Sequence, residues 1–589
     1  MNGLLRINSK VVVATGFLTA ALATNAAPTF TKDVAPILFR NCAKCHGPDG
    51  IASKVAILSY DTARPWAKSI KEKVLLREMP PWPADSMRSL RFRNDARLTR
   101  HEIDTLVAWS DAGAPKGNNG DLPPMPKFEE GWLHPNGLPP DLVISLPGDF
   151  QVPAEGDIPY IQVLANVPFL EDQWLAASQT RPGNRAVVHH MAITEVALED
   201  QLTDADPAPL QLLALQLGPP GSLTQIRPAV TDPTNSAVFD MLGVYTPGTT
   251  FEMYGDEGAK LLKGGKNLYL NFNIHYQATG KPEKDRSTIG LWFRKSPPKH
   301  QLLRVPGAVD SIIVEGKELL TDAPGTKAEG TNVAIPPIPP YVENYEVIGL
   351  TAYTEPVTIY QFQPHAHLRG KDFTYSVIFP DGRQVTVLSV PKYAFDWQLA
   401  YELETPLKLP PGSKLVVTAH YDNSPKNKYN PAPEKPVYFR AGQNQSWDEM
   451  FTPFIQYTRD NQDLTKPPKP PQILPGEETN AVQDSNERNF LPVVGVTGCL
   501  AQNPAAEWML TDAGAPYLSK TQATSAAALR SVGNRPLGDG RYHLLGVSVF
   551  NPAAHRGQEV AVKGVLIKNA AENRLNVTSL QTIAATCAR

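Results

Sequence analysis

From Asn267 to Tyr276 the side chains alternate without a break. Leu268, Leu270, Phe272, Ile274 and Tyr276 fall on one face, and Asn267, Tyr269, Asn271, Asn273 and His275 on the other. A period of two over ten residues is the pattern of a β-strand buried on one side only. The run Val357 to His367 repeats it, with Tyr360, Phe362, Pro364 and Ala366 opposed to His365 and His367. Short segments of this kind recur, broken by 57 prolines in 589 residues, about twice the usual share, which suits a loop-rich β protein. A chain this long exceeds what one core can serve, so the expected fold is mainly β and multidomain. The net charge of −3 gives no electrostatic reason to expect nucleic acid or an anionic membrane as partner.

Both strands end in histidine, and that directs attention to metals. His189 and His190 are adjacent, His275 closes the first strand, and His365-Ala366-His367 closes the second, with Met450 further on. Twelve histidines would give roughly 0.24 adjacent pairs by chance, so either motif alone is weak. Together they form one all-histidine trio and one His-His-Met trio. Imidazole suits copper in either redox state, and a thioether favours Cu(I). Residues two apart on a strand point the same way, so His365 and His367 can grip one ion. Neighbours on a regular strand diverge, so His189 and His190 share a metal only if the backbone bends there or if they use different ring nitrogens.

With their flanks these residues resemble the copper type II, ascorbate-dependent monooxygenases, the peptidylglycine α-hydroxylating and dopamine β-hydroxylating enzymes. The similar stretches are Val187-Val188-His189-His190-Met191, Gly243-Val244-Tyr245-Thr246-Pro247-Gly248, Ile274-His275-Tyr276, Pro364-His365-Ala366-His367-Leu368-Arg369-Gly370 and Asp448-Glu449-Met450. They span roughly residues 140 to 460 in the family's order. The resemblance implies two antiparallel, jelly-roll-like β-sandwiches in tandem, with two copper ions facing each other across an open cleft. His189, His190 and His275 would hold the electron-storing ion. His365, His367 and Met450 would be the catalytic set, serving O2 and a small organic substrate. One departure bears on that substrate. Peptide-hydroxylating members carry an arginine two residues before the H-x-H motif, where this chain has Gln363. A neutral amide cannot replace a guanidinium–carboxylate pair, so a C-terminal glycine peptide is not the expected substrate.

The run Cys42-Ala43-Lys44-Cys45-His46 is a C-x-x-C-H haem-attachment motif. With four cysteines, roughly 0.0005 such motifs arise by accident, so one covalently bound haem c is a firm expectation. Cys42 and Cys45 would carry the thioethers and His46 would be the proximal ligand. Val34, Ile37 and Leu38 make a helical stripe before the motif. Thr99 and Glu102 form a capping box for a helix carrying Ile103, Leu106, Val107 and Trp109. Met79, in Arg77-Glu78-Met79-Pro80-Pro81-Trp82, is the best candidate for the second axial ligand, ahead of Met87 and His101.

Residues 1–26 read as a secretory signal peptide, with Arg6 and Lys10 before an apolar stretch and a small-residue cleavage site. No other apolar run approaches membrane length, so the protein is expected in a bacterial periplasm or secreted, without a membrane span. There Cys499 and Cys587 are expected to form a disulfide. Between them lie five strand-like segments, suggesting a small OB-like barrel. The expected organisation is a small α-helical cytochrome domain over 27–118, sandwiches over 127–297 and 298–463, a Pro-rich linker over 464–489 and the barrel over 490–589. A Pro/Gly-rich loop, 321–344, would cover the second sandwich. His420 is read as structural or as a partner to a metal ligand, and His543 and His555 as surface or turn residues.

The functional expectation is an exported dicopper monooxygenase that hydroxylates an organic substrate with O2. An external electron donor would feed it through the fused haem. The alternative is a non-catalytic copper and haem electron-transfer protein.

Overall fold

The computed structural model describes residues 27–587 apart from 48–49, 129–130, 147, 199–211, 216–225, 229–239, 247–250, 266–267, 329, 440–444, 467–489 and 569–571. The signal-peptide reading, Pro247-Gly248 of the motif stretches, Asn267 and nearly all of the Pro-rich linker lie outside the described residues. What is described is mainly β and multidomain.

Four apolar cores organise the chain. The first is helical. Phe30, Val34, Ile37 and Leu38 pack with Leu106 and Trp109 from the helix Arg100–Asp111. The expected capping box is present, with Thr99 and Glu102 each accepting from the other's backbone N–H. This core lies beside the motif helices Ala35–Asn41 and Ala43–His46.

The second and third cores fill two sandwiches that share one sheet. Its strands run in the order Leu142–Ser145, Thr288–Phe293, Gln173–Arg181, Gly258–Leu262, His300–Pro306, Thr452–Arg459, Val357–His365 and Tyr401–Leu409. The first four are covered by a sheet containing Ile161–Asn166, Leu268–Tyr276 and Val188–Leu198, and the last four by one containing Tyr345–Ala352, Lys414–Tyr421 and Gly370–Ile378. Continuity between the halves rests on a short parallel pairing, Gly258 with His300 and Ala259 with Gln301. Around that seam lies a buried ionic group. Lys260 Nζ meets Asp240 Oδ1 at 2.6 Å, and Arg304 Nη2 meets Glu252 Oε1 and Gln361 Oε1, both at 2.7 Å. Buried charges persist only when paired in this way.

The alternation from Leu268 to Tyr276 is realised as read, with Leu270, Phe272, Ile274 and Tyr276 inside the core of the first sandwich. Val357–His365 departs from it. The register slips between Ile359 and Gln361 against Tyr457 and Gln456, leaving Tyr360 as the extra residue of a β-bulge. Tyr360 therefore does not share a core with Phe362. It packs against the first sandwich, while Phe362 is fully buried in the second. The stretch 321–344 does cover the second sandwich, burying Ala328, Val333, Ile335 and Ile338.

One stretch expected within the helical module sits elsewhere. Trp82, Ala84 and Phe92 belong to the core of the second sandwich, where the large rings of Trp82 and Phe92 pack around Tyr401. The terminal strands Val493–Gln502, Trp508–Ala513, Gly540–Leu545, Glu559–Lys568 and Asn573–Ala584 close on themselves as a five-stranded barrel. Ile313, Ile348, Leu350, Ile378 and Val416 of the second sandwich share its core.

Cys499 and Cys587 are disulfide-bonded across 88 residues. A closed loop of that size stabilises by roughly 4–5 kcal/mol in the chain-entropy account. Because barrel and sandwich share a core, the Cys499→Ser/Cys587→Ser protein is expected to melt earlier in both units together. Differential scanning calorimetry checks this: a separate early transition confined to the barrel would contradict the shared core.

Candidate metal centre

A bend, one of the two ways adjacent histidines could converge, is built into the strand Val188–Leu198. His190 pairs with His275, yet Val188 pairs with Tyr276, so His189 is an extra residue in the ladder. Such a bulge re-aims a side chain, and here both histidines face His275. His189 Nδ1 and His190 Nδ1 are 3.0 Å apart. One nitrogen from each of His189, His190 and His275 lies within 4.8 Å of the others. The Nδ1 atom of His275 is buried with no hydrogen-bond partner, which a protein interior tolerates poorly unless something fills the role.

The second group forms where Val357–His365 ends. His365 Nδ1 lies 2.5 Å from Gln398 Oε1, and His367 Nδ1 lies 3.2 Å from the carbonyl of Asp448. Each acceptor holds a proton on Nδ1 and so leaves the Nε2 lone pair for another partner. His367 Nε2 is buried and has none. The rings of His365 and His367 are 5.4 Å apart. The backbone of Met450 is brought near them, because Thr452, two residues on, pairs with His365. The fully buried carboxylate of Glu449 accepts the backbone N–H groups of His367 (2.8 Å), Arg369 (2.6 Å) and Met450 (3.1 Å), tying the H-x-H and methionine segments together.

The open cleft implied by the resemblance is not seen between these two groups. The rings of His190 and His365 are 6.5 Å apart. Tyr160 contacts His190, His275 and His367, and Phe395 contacts His189, His190, His275 and His367. Gln398 bridges the groups, its Nε2 lying 3.4 Å from His190 Nδ1. The physical reason is the shared sheet, which fixes the halves close together, and the loop 391–400, whose side chains fill what space is left. Gln363 also meets this loop, donating to the Gln398 carbonyl at 3.4 Å. Sequence reasoning missed Tyr160, Phe395, Gln398 and the anchoring role of Glu449. An aromatic-rich loop without periodicity, Tyr393-Ala394-Phe395-Asp396-Trp397-Gln398, was the available signal.

Burial sets the protonation of the cluster. It lowers the pKa of His189, to about 3 that of His275, and to about 4 that of His365. His190 and His367 lie well below the ordinary value, through burial first and neighbouring imidazoles second. All five are neutral at pH 7, the form that ligates a metal. A pKa depressed on folding contributes stability above the unfolded value of about 6.5 and loses it as pH falls towards the folded one. In metal-free protein, the stability difference between wild type and His275→Gln is therefore expected to shift against wild type below pH 6.5, by up to ~1.4 kcal/mol per pH unit. Urea unfolding at several pH values measures it; a difference constant from pH 7 to pH 4.5 would refute the assignment. His420 stands apart from the cluster, bound to Asp372 at 2.7 Å, which raises its pKa.

In the helical module, Cys42 and Cys45 are half-buried free thiols on adjoining turns. Burial pushes the Cys42 thiol up to about 12. His46 Nδ1 lies 2.8 Å from the Val55 carbonyl, which leaves Nε2 available as an axial donor. These residues fit a covalently attached haem. Met79 is half-buried after the helix Ala67–Leu75, whereas Met87 is 90% exposed and His101 is exposed on its helix.

Among the described residues, no helix is long and apolar enough to cross a membrane. Compared with known proteins, the chain matches no family model and no curated protein. Among solved structures it is similar to PNGF-II at 9% identity and a TM-score of 0.19, over 54% of this chain; the chain spans 60% of that protein's length. A structure of infectious bursal disease virus Gx strain aligns at 9% identity and a TM-score of 0.09, over 55% of this chain and 82% of that one. Neither likeness reaches the level of a shared fold.

Proposed function

We propose that this protein is a copper-dependent monooxygenase carrying a covalently attached haem. The observation that carries the reading is the convergence of two donor groups, far apart in sequence, with His275 Nδ1 and His367 Nε2 buried and unpartnered. His189, His190 and His275 would hold one copper, and His365, His367 and Met450 the other. Cys42, Cys45 and His46 would hold the haem, with Met79 as its second ligand. When bound, copper supplies one-electron and dioxygen chemistry and the haem supplies electron transfer.

The chain's own residues prepare that chemistry. Gln398 and the Asp448 carbonyl fix the imidazole tautomers in the second group, a control that such outer partners commonly exert. Tyr160 and Phe395 exclude water from the gap between the groups. Gln363, being neutral, favours an uncharged organic substrate over a carboxylate. The disulfide fits an exported protein.

One observation favours the alternative of a non-catalytic electron carrier: the gap where a substrate would sit is filled by Tyr160, Phe395 and Gln398. Oxygen uptake separates the two. The purified protein is expected to contain one iron and two coppers per chain and, given reductant, to couple O2 consumption to a hydroxylated product. Full metal content with no product from a panel of neutral organic compounds, and no substrate-stimulated uptake, would favour the carrier.

A further inference from the structure

The segment 82–94 joins two helices of the haem module, yet it is hydrogen-bonded almost wholly to the second sandwich. Asp85 N donates to the Ser389 carbonyl at 2.8 Å and Leu90 N to that of Val387 at 3.0 Å. Further on, Arg93 N donates to the Glu402 carbonyl at 2.9 Å and Glu404 N to that of Arg91 at 3.0 Å. Asn94 closes the run, its side chain donating to the Ala400 carbonyl at 2.8 Å and accepting from Glu402 N at 3.0 Å. These partners lie on the strands Gln384–Val390 and Tyr401–Leu409, apart from Ala400, which ends the loop between them. The strap thus grips both ends of the loop 391–400 that links them.

That loop carries Phe395 and Gln398 into the histidine cluster. Trp82 anchors the strap from beneath. It is 7% exposed, its ring 5.0 Å from that of Tyr401 and 6.1 Å from Phe92, and Phe92 in turn is 5.4 Å from Tyr401. Two residues separate Tyr401 from Gln398, whose amide touches both His365 and His190.

We infer that the strap 82–94 of the haem module is a positioning brace for the metal centre, with Trp82 and Asn94 setting the placement of Gln398 against His365 and His190. The inference rests on reading the histidine groups as metal sites. Metal affinity in the sandwiches then depends on a residue that touches no ligand and belongs in sequence to another module. By the same contacts, the strap itself is a built-in part of the second sandwich.

The test uses the full-length protein, titrated with Cu(I) against a chromophoric chelator. Trp82→Ala is expected to weaken the second equivalent of copper roughly 10–100-fold, as loss of an outer partner does, with the haem absorption spectrum unchanged. Trp82→Phe should restore affinity, and Gln398→Leu should match the loss. Because the two act through one contact, the double variant should be no worse than either alone. Asn94→Ala, which leaves the core intact, should show a smaller loss in the same direction even if Trp82→Ala fails to fold. Wild-type affinity in Asn94→Ala and Trp82→Ala, or additive losses with Gln398→Leu, would overturn the brace. If wild-type protein binds no copper, the metal reading fails instead. Amide exchange over 391–400 then decides the brace: acceleration in Asn94→Ala supports it and an unchanged rate overturns it.

Discussion

Met450→Ile is expected to abolish substrate-dependent oxygen uptake while leaving the haem spectrum and the overall fold intact. Isoleucine matches the methionine in bulk but has no donor atom, so the group keeps two imidazoles and loses its soft ligand. A thioether favours Cu(I), and two neutral imidazoles alone hold it less well. The methionine backbone is anchored independently of its sulfur, since its N–H reaches Glu449 and its carbonyl accepts from the Tyr421 hydroxyl at 2.8 Å. The variant should therefore fold. Copper content should fall towards one per chain under competition with a chelator, with the three-histidine group still loaded. If turnover persisted in Met450→Ile at wild-type rate, the sulfur would have no part in the reaction.

Glu449→Leu is expected to have the largest effect on stability. It strips the acceptor from the N–H groups of His367, Arg369 and Met450 at a position with no solvent access. Each buried donor left without a partner costs about 1–3 kcal/mol, so the total is on the order of 3 kcal/mol or more. Glu449 itself is strained electrostatically, burial raising its pKa to about 7. A carboxyl raised in the folded state contributes stability below its unfolded value of about 4.5 and loses it as pH rises through 7. The penalty in Glu449→Leu should accordingly be greater at pH 5 than at pH 8. Chemical denaturation at both values measures this. A midpoint equal to wild type would mean that the three N–H groups find other partners.

Much of the frame was legible because period and punctuation govern it. Leu268 to Tyr276 announced a strand and its buried face, Thr99 and Glu102 announced a helix start, and the five segments between Cys499 and Cys587 announced a closed barrel. The candidate ligand positions were legible as residue types at spacings, and of the two ways His189 and His190 could converge, a bend in the chain is present as a one-residue bulge. What stayed hidden depends on contacts between segments distant in sequence. Tyr160 precedes its strand without pattern, Phe395 and Gln398 sit in an aperiodic loop, and Tyr360 falls out of alternation through a bulge that no local signal marks. The strap had the composition of a connecting loop, and only Trp82 and Phe92 hinted at a core.

The parallel pairing of Gly258 with His300 bears on how any reactant reaches the histidines. Swinging the halves apart like a clam shell would tear that ladder and strand Arg304 away from Glu252. On the proposed reading, admission would come instead from small excursions at the rim, the turning of an aromatic ring or the lifting of a few loop residues. Such gating would select slim, uncharged molecules by the size of the aperture before any ligand chemistry begins.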